Sequence, residues 1–571
     1  MTNSARVLLV VVVLCTIQIP AGAQPPTVTL SIVGTNDLHG GILHENGRGG
    51  LALFAGYVKN LRAARARDGG AVLLVDAGDM WQGTLESNLR EGALVVAAYN
   101  ALGYSAAAVG NHEFDFGPAG PATTPGASAG DPRGALKARA SEASFPFLAA
   151  NLIDAGTGRP VTWPNVRPSI LVDAAGIKVG IVGVMTVGGL RQTIAANTQG
   201  LRLDPLAAVI EAESRRLTSA GATVVIVAAH AGGRCNDFRQ PRDVSSCESG
   251  SEIFELARRL PPGLVDAIMA GHTHAGLAHE VRGIPIAEAY SGGRAFSRID
   301  LVVDRATGRV QQRAVMAPRE ICSRANRQTA RCVQQGPVAR YEGADVAPDS
   351  EIEKLLAPAV SEAAALRVKP VGVILDTPMR RGDDGLQSPL GQLFVEAMRQ
   401  AAKSDVAINN TNGGLRADLP AGALTYGSLF RAFPFDNQLV TLRLRAADVS
   451  RVLAAELRRR SLRVSVSGAR VGASCAGGVL RVRLHGDSGQ PIADDTVLRV
   501  ATTDFLALGG DGLFGPVAPP GGYKAGDGPL VRDAVADWLG ARAGRLGEAE
   551  FTRRARSAWT LPGPLPLNCS R

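Results

Sequence analysis

The feature that most constrains this chain is a set of five short apolar, β-branched runs, each ending in residues that can bind a cation. The runs are Val28 to Val33, Ala71 to Val75, Ala106 to Val109, Thr223 to Ala229 and Asp266 to Ala270. Each has the length of a buried strand. Within a few residues each is followed by Asp, Asn or His, in the clusters Thr-Asn-Asp-Leu-His, Gly-Asp, Gly-Asn-His-Glu-Phe-Asp, Ala-Ala-His and Gly-His-Thr-His. In open α/β sheets, ligands gather beyond the carboxyl ends of the strands. Five such strands are expected to converge on one pocket, although their residues span more than two hundred positions.

The donors narrow the chemistry. Asp37 and His39 are one residue apart, so a carboxylate and an imidazole can reach one ion. Asp79 follows Gly78, which allows a sharp turn, and its two oxygens can bridge two cations. Asn111 offers an amide oxygen, and His230, His272 and His274 offer ring nitrogens. Mixed N and O donors without thiolate suit Zn, Mn, Fe or Co better than Ca or Cu(I). A lone histidine at a strand end is usually an ordinary surface or core residue; the conjunction is what points to a two-metal hydrolase. His44, His279 and His485 fall outside it and read as ordinary polar residues. Trp81 and Gln82 read as shaping the turn after Asp79.

At 571 residues the chain exceeds one core. Its 46% hydrophobic and 20% charged residues are those of a globular protein. Residues 1–23 fit a cleavable secretory leader: Arg6, an apolar stretch from Val7 to Ile19, then Pro20-Ala21-Gly22-Ala23. That stretch is short against the roughly 20 residues needed to span a bilayer, so no transmembrane segment is expected in the mature chain, and a periplasmic or secreted location is. Apart from Cys15 in the leader, the six cysteines form an even set, which in an exported chain favours disulfides. Local spacing suggests Cys235 with Cys247, Cys322 with Cys332 and Cys475 with Cys569, one of fifteen pairings. The net charge of +9 comes mostly from Arg and has no interleaved aromatics, so no nucleic-acid polymer is expected as a partner. Oligomeric state is not legible.

Strand-like runs alternate with helical patterns at Gly50 to Arg67, Glu91 to Leu102 and Pro205 to Ser219, so the class is α/β. Gly117 to Gly134 reads as a surface loop at the pocket mouth. Ala317 to Asp349 is polar and irregular, Ser350 to Arg367 is helical, and new strands begin near Val371. The expected division is a first domain at 24–335, a linker with a helix at 336–369, and a second domain at 370–571.

The clusters Thr35-Asn36-Asp37-Leu38-His39-Gly40, Gly78-Asp79-Met80-Trp81-Gln82-Gly83-Thr84, Gly110-Asn111-His112-Glu113-Phe114-Asp115-Phe116-Gly117 and Gly271-His272-Thr273-His274 resemble the motifs of the calcineurin-like metallophosphatase domain of secreted 5′-nucleotidases. Asn410-Thr411-Asn412-Gly413-Gly414-Leu415-Arg416, Phe433-Pro434-Phe435-Asp436-Asn437 and Asp504 to Gly512 resemble the substrate-binding C-terminal domain of that family. The resemblance implies a four-layer metallophosphatase sandwich with a dinuclear site, joined by a helix to an α+β substrate domain. It implies two divalent ions, one held by Asp37, His39, Asp79 and His274, the other by Asp79, Asn111, His230 and His272. His112 is then the unligated acid, oriented by Asp115.

For a nucleotide, the resemblance implies Phe435 and Phe505 as a base clamp, Asp511 at the sugar, Arg416 at an anionic group and Asn412 at the base. For that last position the register stays open between Asn410 and Asn412. Family members often carry a further Arg ahead of the helix near Gly391, where this chain has Leu386-Gln387-Ser388-Pro389. Monophosphates or cyclic phosphates are therefore expected rather than nucleoside polyphosphates or nucleotide sugars, with nucleoside 5′-monophosphates the leading expectation. 2′,3′-Cyclic phosphodiesters and sulfur esters are the enzymatic alternatives, and a nucleotide-binding protein without catalysis is the non-enzymatic one.

Overall fold

A computed structural model describes residues 26–120, 130–382, 387–411, 413–519 and 528–569. The leader, half of the Gly117 to Gly134 loop (residues 121–129) and Asn412 lie outside the described residues.

The five apolar runs are strands, but they divide between two sheets. Thr27–Thr35, Ala71–Asp76 and Ala106–Ala108 lie side by side and parallel in a seven-stranded sheet, with Ala295–Asp304 and Val310–Glu320 antiparallel at one edge. Val224–His230 and Ala267–Ala270 are parallel neighbours in a second, six-stranded sheet. The sheets face each other. Leu30, Ile32, Leu73 and Val75 from the first meet Ile181, Val224, Ile226 and Ala228 from the second. Alternate residues point the other way: Val33 and Leu74 pack under the helices Leu51–Asp68 and Ala93–Leu102, and Val225, Val227 and Ala229 under Leu206–Ser219 and Glu252–Arg259. Burial on both faces explains why these strands read as unbroken apolar runs instead of alternating ones. The result is a helix, sheet, sheet, helix sandwich.

Strand register brings the ligand loops level. Thr35 pairs with Asp76, and the pairing continues into the loops through Asp37 N to Gly78 O (2.9 Å) and His39 N to Asp79 O (3.0 Å). In the second sheet Ala229 pairs with Ala270, so His230 and the Gly271-His272 turn leave their strands together.

The polar stretch is more ordered than its composition suggests. Strand Val310–Glu320 runs into it, and Ala339, Val346, Ile352 and Leu356 join the first core. Helix Ser350–Val368 then leads to strand Pro370–Leu375 and two further cores. Those cores are built on a four-stranded sheet (Leu439–Arg445, Val497–Thr503, Val406–Asn410, Val464–Ser467) and two three-stranded ones, with helices Pro389–Ala401, Ala446–Leu457 and Val531–Arg542. All three expected disulfides are formed. Among the described residues no helix is long and apolar enough to cross a membrane.

Candidate active site

The seven candidate ligands come together as two groups that share Asp79. On one side His39 Nε2 lies 3.0 Å from His274 Nε2, and His274 Nε2 3.3 Å from Asp37 Oδ1. On the other, His230 Nε2 lies 3.0 Å from Asn111 Oδ1 and 3.2 Å from His272 Nδ1. Asp79 Oδ2 is 3.2 Å from His230 Nε2 and 3.9 Å from His39 Nε2.

The hydrogen bonds around these atoms fit a pair of cations. His39 Nδ1 is 2.8 Å from the Gln82 carbonyl and His230 Nδ1 is 2.9 Å from that of Ala77, so each ring donates through its outer nitrogen and turns Nε2 inward. Asp37 Oδ2 accepts from Asn36 Nδ2 and His272 N, whereas Oδ1 is buried with no hydrogen-bond partner. Asp79 Oδ1 accepts from His112 N, which leaves Oδ2 for the gap between the groups. Burial and the facing His274 hold the His39 pKa well below its ordinary value; burial and His230 bring His272 down to about 4. His230 goes the other way, to about 10, because Asp79 outweighs burial. Neutral rings at His39 and His272, beside a carboxylate that draws positive charge onto His230, are what a divalent ion needs.

The backbone is bent to this end. Asp37, His39, Asp79, His272 and His274 all have φ between 47° and 79°, a region that costs a non-glycine residue roughly 1–2 kcal/mol. A side chain on Gly110 would collide with the Asp79 carboxylate. Glu113 carries much of the restraint: buried, it accepts from Asp79 N (2.9 Å), Met80 N (2.7 Å) and Gly110 N (2.6 Å). Glu288 supports the other loop, accepting from Thr273 Oγ1 at 2.6 Å.

His112 belongs to neither group. Its Nδ1 is 2.6 Å from Asp115 Oδ2, and Asp115 Oδ1 accepts from Thr193 Oγ1 at 2.8 Å. Burial opposes protonation of His112, but Asp115 and Asp79 prevail and hold its pKa above the ordinary value. Its Nε2 faces Arg416 Nη2 from the C-terminal half at 3.4 Å. That guanidinium lies 5.2 Å from the centre of the Phe435 ring.

A cavity of about 280 Å³ opens between the halves, lined by Asp79, Asn111, His112, His272 and His274 on one wall and Asn410, Arg416, Phe435, Phe505 and Asp511 on the other. Asn410 Nδ2 donates to Asp511 Oδ2 at 3.0 Å, so of the two asparagines left open by register, Asn410 is at the cavity and Asn412 lies outside the described residues. Burial raises the pKa of Asp511. Gln82 is no ligand: it donates across the cleft to the Pro434 carbonyl, as does Asn88. His279 is buried beside the Cys235–Cys247 disulfide. Gln387, in the place of the expected second arginine, is turned inward, donating to Val466 O and accepting from Trp559 Nε1. Thr193 and Asn437 also line the cavity and carry no role in the sequence reading.

Comparison with known proteins places this arrangement. Residues 30–276 match the calcineurin-like phosphoesterase model and residues 368–518 the 5′-nucleotidase C-terminal domain model. The chain belongs to the 5′-nucleotidase family of metallophosphoesterases. It is a metal-dependent phosphoesterase hydrolase. Protein UshA of Yersinia enterocolitica is 26% identical over 523 residues, covering 86% of this chain and 88% of its own length. A 5′-nucleotidase of Vibrio cholerae is 25% identical, covering 89% and 90%. Among solved structures, a 5′-nucleotidase precursor from Thermus thermophilus superposes with a TM-score of 0.69 at 23% identity, covering 90% of this chain and 97% of that one. The sulfate thiohydrolase SoxB from the same genus has the same fold, with a TM-score of 0.64 at 17% identity, covering 95% and 96%.

Proposed function

We propose that this chain is an exported phosphoesterase that hydrolyses nucleoside 5′-monophosphates to nucleoside and phosphate. The observation that carries the reading is the shared cavity: two ligand groups and His112 form one wall, and two aromatic rings with a carboxylate and an arginine form the other. Asp37, His39, Asp79 and His274 would hold one divalent ion and Asp79, Asn111, His230 and His272 the second, as Zn, Mn, Co or Fe. Such a pair supplies a water acidic enough to attack near neutral pH and a clamp for phosphoryl oxygens.

The remaining steps fall to side chains. Phe435 and Phe505 take the base between their faces. Asp511 accepts from ribose hydroxyls, and Arg416 meets a phosphate oxygen. His112 then passes its Nε2 proton to the departing 5′ oxygen as the P–O bond breaks, while Asp115, steadied by Thr193, keeps Nδ1 protonated and the ring in register. Because Arg416 is the one arginine or lysine among the described residues lining the cavity, a single phosphate suits it better than a polyphosphate. The same observation favours 2′,3′-cyclic phosphates as the second reading. Three disulfides support a periplasmic or secreted location.

The test is phosphate release by the purified protein from AMP, 2′,3′-cyclic AMP, ATP, UDP-glucose and a sulfate ester, with Mn²⁺ and after chelation. Metal-dependent turnover led by AMP is expected. A lead by the cyclic nucleotide would reassign the activity, and no turnover of any nucleotide would overturn the reading.

A further inference from the structure

We propose that Arg532 is a positioning residue for base recognition, which sets the Phe435 wall of the cavity from behind. The inference rests on the nucleotide reading above. Arg532 sits in the first turn of helix Val531–Arg542, where the helix dipole disfavours a cation, and it is only 3% exposed, where a lone charge is costly. Both placements work against an arginine, so its contacts must offset them.

Those contacts converge on one turn. Nη1 donates to the carbonyls of Phe433 (3.2 Å) and Phe435 (3.1 Å), and Nη2 to Asp436 Oδ1 (2.5 Å). Nε donates to Tyr426 Oη at 3.0 Å, and the guanidinium plane lies 4.2 Å from the centre of the Phe430 ring. Residues 433–437 lie outside helix and strand, so their carbonyls have no ladder partners and must find donors elsewhere. Arg532 satisfies those of residues 433 and 435. The carbonyl between them, on Pro434, faces the other way and takes Gln82 and Asn88 from the metallophosphatase half. With successive carbonyls held from opposite sides, the turn that carries Phe435 is pinned, and its ring lies beside Arg416 and His112. Arg532 is not among the cavity-lining residues, so it acts through Phe435. A lysine keeps the charge but lacks the planar fork that serves two carbonyls, a carboxylate and a phenol at once.

The test uses the full chain loaded with Mn²⁺, as wild type, Arg532→Met and Arg532→Lys. Calorimetry gives the adenosine Kd; steady-state kinetics give KM and kcat for AMP and the inhibition constant of inorganic phosphate, which needs no aromatic wall. Both variants should raise the adenosine Kd and the AMP KM together by about three- to tenfold, the scale of a lost aromatic stack. Phosphate inhibition and kcat should stay within about twofold. Melting curves identify folded protein, and if the Met variant does not fold, the Lys variant decides. Unchanged adenosine affinity, full rescue by lysine, or an equal loss of phosphate affinity would overturn the proposal. Wild type that neither binds adenosine nor cleaves AMP would instead overturn the nucleotide reading, and this one with it.

Discussion

Glu113→Ala tests whether the strained metal loop is held from behind. Glu113 receives three backbone N–H groups, two of them from Asp79 and Met80. Burial and the neighbouring Asp79 carboxylate push its pKa up to about 8, against the pull of its backbone donors. Removing it strands three buried donors at about 1–3 kcal/mol each, partly refilled by water, for a net of roughly 3–6 kcal/mol. Asp79, at φ 60°, gains a further 1–2 kcal/mol or so by leaving the left-handed region. Both terms act on the loop that carries the shared carboxylate, so the loss is local rather than global. The variant is expected to keep its cores but bind fewer than two metal ions per chain, with kcat at saturating Mn²⁺ down by at least about a hundredfold, as for displaced catalytic groups generally. Elemental analysis after desalting gives the stoichiometry, and phosphate release gives the rate. Two ions per chain with wild-type kcat would refute the reasoning. Glu113→Gln should fall between, since its amide turns one acceptor into a donor facing an N–H.

His112→Ala is expected to keep full metal content and lose about 10² to 10⁴ in kcat, whereas Asp79→Ala empties the site; metal loss in the His112 variant would reassign that residue. Phe435→Ala and Phe505→Ala should each raise the nucleotide KM by about two- to tenfold with kcat little changed, measured against AMP; an effect confined to kcat would deny the clamp. Replacing Cys475 and Cys569 by Ser, which opens a link across a sequence separation of 94, should cost about 4–5 kcal/mol in chemical denaturation. The Cys235 and Cys247 pair, separated by 12, should cost nearer 3 kcal/mol, and a reversed order would contradict the chain-entropy account.

Strands buried on both faces announce themselves as unbroken apolar runs, and a metal centre advertises its ligands by type. That is why Thr27–Thr35, Ala71–Asp76 and Val224–His230, with Asp37, Asp79 and His230 at or just beyond their ends, were legible before any fold was known. What period and donor type do not encode is which sheet a strand joins. The expected convergence on one pocket is achieved by two sheets, because Ala229 and Ala270 end level with each other in the second. Support residues were hidden for a related reason. Glu113 sits inside a recognised motif but looks like any acidic residue until its three donors are seen. Thr193 is 78 positions from Asp115, and Arg532 is 97 from the Phe435 carbonyl it holds. A ligand must be one of a few residue types, so sequence betrays it. A positioning residue need only offer a donor or acceptor at the right place, and many residue types can do that. The residue types able to bind a cation were therefore readable from the sequence, whereas the contacts that hold them in strained and buried positions became visible only in three dimensions.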